Sequence, residues 1–218
     1  CCGMPQLEKG NIARVAENAK LISDDLENWI DKGYDVVALV PSCALMMKFE
    51  WPLILPNDQR IKKLAQSVFD LSEYVVTIAN DNGLADGLTP LDGGVSLHHA
   101  CHARAQNMGA KAAEMLRLLP DNDVAVIERC SGHGGSWGIM KDNFETALKV
   151  GKPAARQATK NDKRFIASEC PLAVEHIAQG VNRLNEEPSQ MKTVAHPILL
   201  MALAYGLMDE NFQLFTKD

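Results

Sequence analysis

The sequence lacks the features that mark several large classes of protein. No apolar run approaches the roughly 20 residues needed to span a bilayer, and the longest, residues 197–204, has the length of a buried helix. No basic segment followed by an apolar one opens the chain, so no secretory signal is visible. Lysine and arginine total 22 against 28 aspartates and glutamates, with no dense basic run. Because phosphate contacts need clustered positive charge, nucleic acid is excluded as a partner.

Cysteine is also scarce, since six residues among 218 are too few for a disulfide-dense scaffold. Apolar residues make up 46% and charged residues 23%, the balance of an ordinary globular protein. A chain of this length fits one large domain or two of roughly 100 residues each. Neither a Gly-x-Ser-x-Gly motif nor a phosphate-binding glycine signature is present, so no catalytic residue is predicted.

Alternating strand and helix patterns predict an α/β fold with small, mostly parallel sheets flanked by helices. Near-continuous apolar runs, as expected for strands covered on both faces, occupy residues 35–40, 94–98, 123–127 and 164–168. Segments with helical periodicity cover residues 11–32, 103–119, 141–159 and 172–184. The turn-rich stretch 83–94 predicts a joint between two halves of the chain.

The positions of the cysteines are more informative than their number. Four of them follow the predicted strands: Cys43, Cys101, Cys130 and Cys170. In an open α/β sheet the carboxyl ends of the strands form the ligand-binding edge. The helix N-termini at that edge favour thiolates and the sulfides of a cluster. Cys1 and Cys2 precede the helix predicted for residues 11–32 and fit the same pattern if a strand comes before them.

An internal repeat also links two parts of the chain. Cys1-Cys2-Gly3 resembles Cys130-Ser131-Gly132, and each is followed by a predicted helix, a predicted strand and a further cysteine. Buried core cysteines need no such spacing, so the repeat favours a ligand-binding role for these cysteines over ordinary core packing. Zinc stays open as the metal, with His102 or His133 as the fourth ligand of a tetrahedral site. A thiol-redox module without electron transfer is the other alternative.

The six cysteines lie in five short motifs: Cys-Cys-Gly at 1–3, Pro-Ser-Cys at 41–43, Ala-Cys-His at 100–102, Glu-Arg-Cys-Ser-Gly-His at 128–133 and Glu-Cys-Pro at 169–171. Together these motifs resemble the cysteine-rich CCG domain pair, and the resemblance covers nearly the whole chain. The pair occurs in the B subunit of heterodisulfide reductase and in the C subunit of anaerobic glycerol-3-phosphate dehydrogenase. The motif residues of this chain are more similar to those of the second of these proteins.

The resemblance implies two pseudo-symmetric halves, residues 1–92, incomplete at the N-terminus, and residues 93–218. It implies an iron–sulfur cluster in each half, held by Cys1, Cys2 and Cys43 in the first and by Cys101, Cys130 and Cys170 in the second. Three thiolates per half favour a [4Fe–4S] cubane, completed by water, histidine or an outside ligand, over a five-cysteine noncubane cluster. Three glycines are predicted either to let backbone N–H groups approach the clusters or to form tight turns: Gly3, Gly132 and Gly134.

The function implied by the resemblance is an iron–sulfur electron-transfer subunit, either non-catalytic or acceptor-reducing, of an oxidoreductase complex. It would pass electrons between a flavin-type dehydrogenase and a quinone or disulfide acceptor. The implied location is cytoplasmic, with any membrane contact peripheral and made through a partner. The ferredoxin-like segment that opens such proteins is absent, so the chain is expected to be their C-terminal part.

Overall fold

The computed structural model describes residues 1–184 and 193–208. Within this part of the chain the fold is α/β, and every strand pair is parallel, which confirms the predicted fold class. The chain forms two compact units, one of Cys1–Tyr74 with His102–Gly109 and one of Val75–Cys101 with Ala110–Asp218. The division into CCG halves at residues 92 and 93 stays a prediction.

One or more helices separate each strand from the next. Up to residue 82 they are α1 (Met4–Glu8), α2 (Ile12–Asp31), β1 (Val36–Ala38), α3 (Pro41–Leu45), α4 (Trp51–Ile54), α5 (Gln59–Ser67), β2 (Val68–Asp70) and α6 (Leu71–Asn82). A π-helical turn, Met46–Glu50, joins α3 to α4. From residue 95 they are β3 (Val95–His98), α7 (Cys101–Arg104), α8 (Lys111–Arg117), β4 (Val124–Ile127), α9 (Phe144–Asn161), β5 (Phe165–Ser168), α10 (Pro171–Leu184), β6 (Thr193–Ala195) and α11 (Pro197–Ala204).

The first unit is built on a two-stranded sheet, in which β1 pairs with β2. Its helices cover an apolar core whose innermost side chains are Val15, Met46, Trp51, Ile61 and Leu64. The sequence alone leaves open whether the methionines and tryptophans of this region are core or partner-facing. Met46 and Trp51 are fully buried, whereas Trp29 is 52% exposed.

A polar network lies where β2 ends and α6 begins. Asp70 Oδ1 accepts a hydrogen bond from the Ser72 N–H at 3.0 Å, and Glu73 Oε2 accepts one from the Asp70 N–H at 3.1 Å. This reciprocal arrangement is a capping box, which satisfies backbone donors at the start of the helix. Lys48 Nζ donates to the same Glu73 oxygen at 2.6 Å. Burial raises the pKa of the Asp70 carboxyl, partly opposed by hydrogen bonds from Ser72 and Gln106.

The second unit is built on a four-stranded sheet with the order β4-β3-β5-β6. The central strands β3 and β5 are buried along their whole length, as expected for strands covered on both faces. Phe165 and Ala167 pack into a core with α8 and α11, while Ile166 packs with α9 and α10 on the opposite face. On the outside, Arg183 Nη2 donates to Glu145 Oε1 at 2.8 Å and lowers the pKa of that carboxyl.

The structure adds short helices and strands to the expected elements, and it differs from them most clearly at one helix and one strand. The helix predicted for residues 103–119 is broken into α7 and α8, because Asn107 and Gly109 take positive φ values of 54° and 79° between them. Strand β2 was not predicted, since its three residues lie inside a helix-rich stretch. The four predicted strands are all present, as β1, β3, β4 and β5.

In residues 1–184 and 193–208, no helix has both the length and the apolar character needed to cross a membrane.

Candidate metal centres

Three of the cysteines follow strands that end level with one another. In the second unit His98, Ile127 and Ser168 occupy the same rung of the sheet, at the carboxyl ends of β3, β4 and β5. Cys101, Cys130 and Cys170 follow these rungs by three, three and two residues. Strand β3 pairs with β4 on one side and with β5 on the other, so the strand order reverses at β3. Such a reversal opens a crevice at the carboxyl edge, which is where ligands bind in open α/β sheets.

Cys170 is the half-buried cysteine of this edge and immediately precedes α10. Burial raises the pKa of its thiol, and the negative charges of a Cys101 thiolate and of Glu169 raise it further. Hydrogen bonds from the backbone N–H groups of Ala173 and Leu172 act in the opposite direction. Two thiolates that repel each other at a helix N-terminus suit a cationic metal centre, because a bound cation removes the repulsion.

His133 lies against Cys170. Its Nε2 atom is 3.7 Å from Cys170 Sγ, and its Nδ1 atom is 3.2 Å from the carbonyl oxygen of Gly135. A carbonyl can only accept a hydrogen bond, so Nδ1 carries a ring proton, and in the neutral imidazole the lone pair of Nε2 faces the sulfur. A nitrogen ligand is therefore oriented toward the cysteine edge.

A hydrogen-bond network below the cysteines joins the three strands. His98 Nε2 donates to the carbonyl oxygen of Arg129 at 3.0 Å, so its Nδ1 accepts from the Ser168 hydroxyl at 3.1 Å. The N–H of Cys170 donates in turn to Ser168 Oγ at 3.3 Å. His98 is thus a positioning residue that ties the backbone next to Cys130 to the backbone at Cys170. The sequence alone favours this hydrogen-bonded structural role for a histidine at a strand end over contact with a substrate.

In the first unit Cys2 and Cys43 come together. The Cys2 thiol donates a hydrogen bond to Cys43, which lowers the pKa of Cys43 to about 7, while the same contact and burial raise the pKa of Cys2. The backbone of Cys2 is held by the buried indole of Trp51, whose Nε1 donates to the Cys2 carbonyl oxygen at 3.0 Å. Cys1 is exposed. The structure therefore gathers two of the three cysteines predicted for this half into direct contact.

The start of α3, which carries Cys43, is held by polar side chains. Ser42 Oγ lies 2.8 Å from His102 Nδ1, and the amide of Gln106 lies 3.4 Å from both the Pro41 carbonyl oxygen and Asp70 Oδ2. These contacts join residues far apart in sequence, so no local pattern could have indicated them.

The predicted glycines differ in what surrounds them. Gly132 has φ +90°, and an added Cβ would lie 2.2 Å from the Ala147 carbonyl oxygen, so the loop after Cys130 is packed directly onto α9. Gly3 precedes α1 with φ +94°. Gly134 is exposed. Contact of any of the three with a cofactor stays a prediction.

All six cysteines are free thiols, which is the donor chemistry of iron–sulfur clusters. Among the residues that the structure describes, no three His, Cys, Asp or Glu side chains are arranged to hold a single metal ion. The ligand sets Cys1, Cys2, Cys43 and Cys101, Cys130, Cys170 therefore stay predictions, which the shared sheet edge and the Cys2–Cys43 contact support.

Comparison with known proteins agrees with the resemblance read from the motifs. Residues 95–172 match the CCG family model, described as a cysteine-rich domain. The chain is 25% identical over 206 residues to the C subunit of anaerobic glycerol-3-phosphate dehydrogenase from two Escherichia coli strains, covering 94% of this chain and 49% of the relative. It is 26% identical over 198 residues to an uncharacterized iron-sulfur protein of Methanococcus maripaludis, covering 89% and 36%. The chain thus spans half or less of the length of these relatives.

Proposed function

We propose that the chain is an iron–sulfur electron-transfer component of a redox complex, on the basis of the match of residues 95–172 to the CCG cysteine-rich domain and of the geometry of its cysteines. The observation that carries the proposal is the register of β3, β4 and β5, which delivers Cys101, Cys130 and Cys170 to one edge of a parallel sheet. The names of the relatives support it, because one is a dehydrogenase component and another an iron-sulfur protein.

Each unit would hold its own cluster. Cys101, Cys130 and Cys170 would ligate a [4Fe–4S] cluster in the second unit, and Cys1, Cys2 and Cys43 would ligate one in the first. A bound cluster of this type supplies one-electron oxidation and reduction. The protein sets the potential at which this happens. The N–H groups of Leu172 and Ala173 stabilise negative charge on Cys170 Sγ, which raises the reduction potential.

A partner must deliver and remove the electrons. We assign these roles to a flavin-type dehydrogenase as donor and to a quinone or disulfide as acceptor, at the cytoplasmic side of the membrane and in peripheral contact with it. The loop that follows Cys130 exposes three large apolar side chains, Trp137, Ile139 and Met140. Exposed apolar groups beside a redox centre suit a surface that a partner covers.

The test is a redox titration of the chain after anoxic reconstitution with iron and sulfide, followed by electron paramagnetic resonance. The wild type should show a reversible one-electron signal, and Cys170→Ser should lose most of the signal from the second unit. Ser136→Ala is the matched control, because Ser136 lies in the same loop as His133, is exposed and should leave the signal unchanged. An iron-loaded wild type without any reversible signal would contradict the proposal.

A zinc-stabilised or thiol-redox interaction module is the second candidate. Two observations favour it, the nitrogen–sulfur pair of His133 and Cys170, which zinc also binds, and the thiol contact of Cys2 with Cys43. The purified chain would then contain zinc or a Cys2–Cys43 disulfide, detected by metal analysis and mass spectrometry, and would show no cluster signal after reconstitution.

A further inference from the structure

Asp70 is a buried carboxyl group at the ligand-binding edge of the first unit. It lies level with Ala38 in the register of β1 and β2, so it marks the carboxyl end of this sheet, where β1 leads into α3 and Cys43. Its side chain is only 2% exposed. Burying a carboxylate is costly, and serine or asparagine would cap α6 equally well. A titratable group at this position therefore needs a further explanation.

The second oxygen of this carboxyl group lacks a hydrogen-bond donor of its own. Oδ1 accepts from the Ser72 N–H at 3.0 Å, whereas Oδ2 lies 3.4 Å from Gln106 Nε2. The same nitrogen lies 3.4 Å from the Pro41 carbonyl oxygen and 3.3 Å from that of His102. An amide nitrogen carries two N–H groups and cannot serve three acceptors fully. Of the three oxygens only Asp70 Oδ2 can bind a proton, which would leave the two N–H groups to the two carbonyls.

The amide of Gln106 also connects Asp70 to the segment that carries Cys43. Pro41, whose carbonyl oxygen the amide contacts, is the first residue of α3, and Cys43 follows two residues later. Helix α3 also packs against β2, the strand that ends at Asp70. A change of charge at Cys43, or at a group bound to it, therefore acts on Asp70 through a buried environment, where charges interact more strongly than in water.

The charged groups that face Asp70 from neighbouring elements offset one another. Glu73, on α6, raises the pKa of Asp70, and Lys48, on the π-helical turn, lowers it. These two side chains form an ion pair, with Lys48 Nζ 2.6 Å from Glu73 Oε2. On α7, Arg104 is exposed and His102 Nδ1 is hydrogen-bonded to α3, while β1 carries no titratable side chain. Burial is thus the main influence and raises the pKa of Asp70, and added negative charge nearby raises it further.

We propose that Asp70 takes up the proton that accompanies reduction of the metal centre in the first unit. The inference rests on the proposed function, since it presupposes a cluster held by Cys1, Cys2 and Cys43. For one electron that enters this centre, the Asp70 carboxylate takes one proton from the solvent and becomes a carboxylic acid, so the net charge of the unit does not change. Reduction of a quinone or a disulfide consumes one proton per electron, so such coupling suits the proposed acceptors.

The experiment measures the reduction potential of the first-unit cluster between about pH 5 and about pH 9, in the whole chain reconstituted anoxically with iron and sulfide. The first-unit signal is the one that Cys43→Ser abolishes. Over part of this range the wild-type potential should fall by about 59 mV for each tenfold decrease in proton concentration. Asp70→Asn, which keeps the size of the side chain but cannot ionise, should titrate at a potential that does not depend on pH. Asp25→Asn, the control at an exposed position of the same unit, should behave like the wild type.

A second measurement observes the proton itself. The infrared difference spectrum, reduced minus oxidised, should gain the C=O stretch of a protonated carboxyl group in the wild type, and Asp70→Asn should lack this band. If Asp70→Asn does not fold, Asp70→Glu keeps the titratable group and should shift the band. A band that is unchanged in Asp70→Glu would assign the proton to another group and refute the inference.

The outcomes separate this inference from the proposed function. A first-unit potential that does not change with pH, or that changes equally in the wild type and Asp70→Asn, would overturn the role of Asp70 and leave the proposed function standing. A chain with a signal from the second unit alone would also overturn the inference. An iron-loaded chain without any reversible signal would overturn both.

Discussion

Replacing Gly132 with alanine is expected to destabilise the second unit by about 2–5 kcal/mol. Two costs add at this position. A side chain at φ +90° loses roughly 1–2 kcal/mol to left-handed backbone strain. The new Cβ also meets the Ala147 carbonyl oxygen at 2.2 Å, and overpacking of this kind costs about 1–3 kcal/mol. Urea unfolding of the metal-free chain under reducing conditions, followed by circular dichroism, measures the change in the free energy of unfolding.

Two neighbouring glycines separate the two costs. Gly134 has φ +52°, but its added Cβ would meet only Trp137, at an ordinary 3.7 Å, so Gly134→Ala should show the backbone cost alone. Gly138 has no left-handed φ, but its Cβ would lie 2.5 Å from the His133 carbonyl oxygen, so Gly138→Ala should show the overpacking cost alone. A Gly132→Ala variant no less stable than Gly134→Ala would refute the close packing of this loop onto α9.

Two further sets of variants test the first unit and the electrostatics. Trp51→Phe removes the donor to the buried Cys2 carbonyl oxygen and should lower the free energy of unfolding by about 1–3 kcal/mol. The control, Trp29→Phe at a half-exposed site, should change this free energy by less than about 0.5 kcal/mol. Equal effects of the two substitutions in urea unfolding would contradict the buried contact. The raised pKa of Asp70 means that the folded state keeps its proton longer, so the stability of the wild type relative to Asp70→Asn should fall as the pH rises above 3.8. The lowered pKa of Glu145 predicts the opposite sign, a relative stability over Glu145→Gln that is present above pH 4.5 and lost as the pH falls below it. Unfolding measured from pH 3 to 7 checks both, and slopes of the same sign in the two pairs would show the reasoning to be wrong.

The parts of the fold that local pattern encodes were predictable. β3 and β5 are buried on both faces and therefore appear as continuous apolar runs. The repeat of helix, strand and cysteine corresponds to α2, β1 and Cys43 in one unit and to α9, β5 and Cys170 in the other. Strand β2 could not be found this way, because its three residues lie directly between α5 and α6 and no longer apolar run sets them apart. The break between α7 and α8 had a signal in Asn107 and Gly109, two residue types that tolerate positive φ.

The contacts that support the site could not be predicted from the sequence, for a different reason. The hydrogen-bond partners of His98 depend on which strands lie next to β3. They are Ser168 on β5 and the carbonyl oxygen of Arg129, which follows β4. Chain order alone does not give the strand order β4-β3-β5-β6. Likewise, Trp51 was visible as an apolar residue, but its hydrogen bond to Cys2 spans 49 positions. The cysteines could be named from the sequence, whereas the residues that position them needed the structure.

The most direct test of the central claim is the content of iron and acid-labile sulfide per chain after anoxic purification, with zinc measured in the same sample. A chain in which the cysteines of at least one unit hold a [4Fe–4S] cluster should contain about four irons or more with matching sulfide. About one zinc per chain without iron would contradict the claim and would identify the cysteines as ligands of a structural metal.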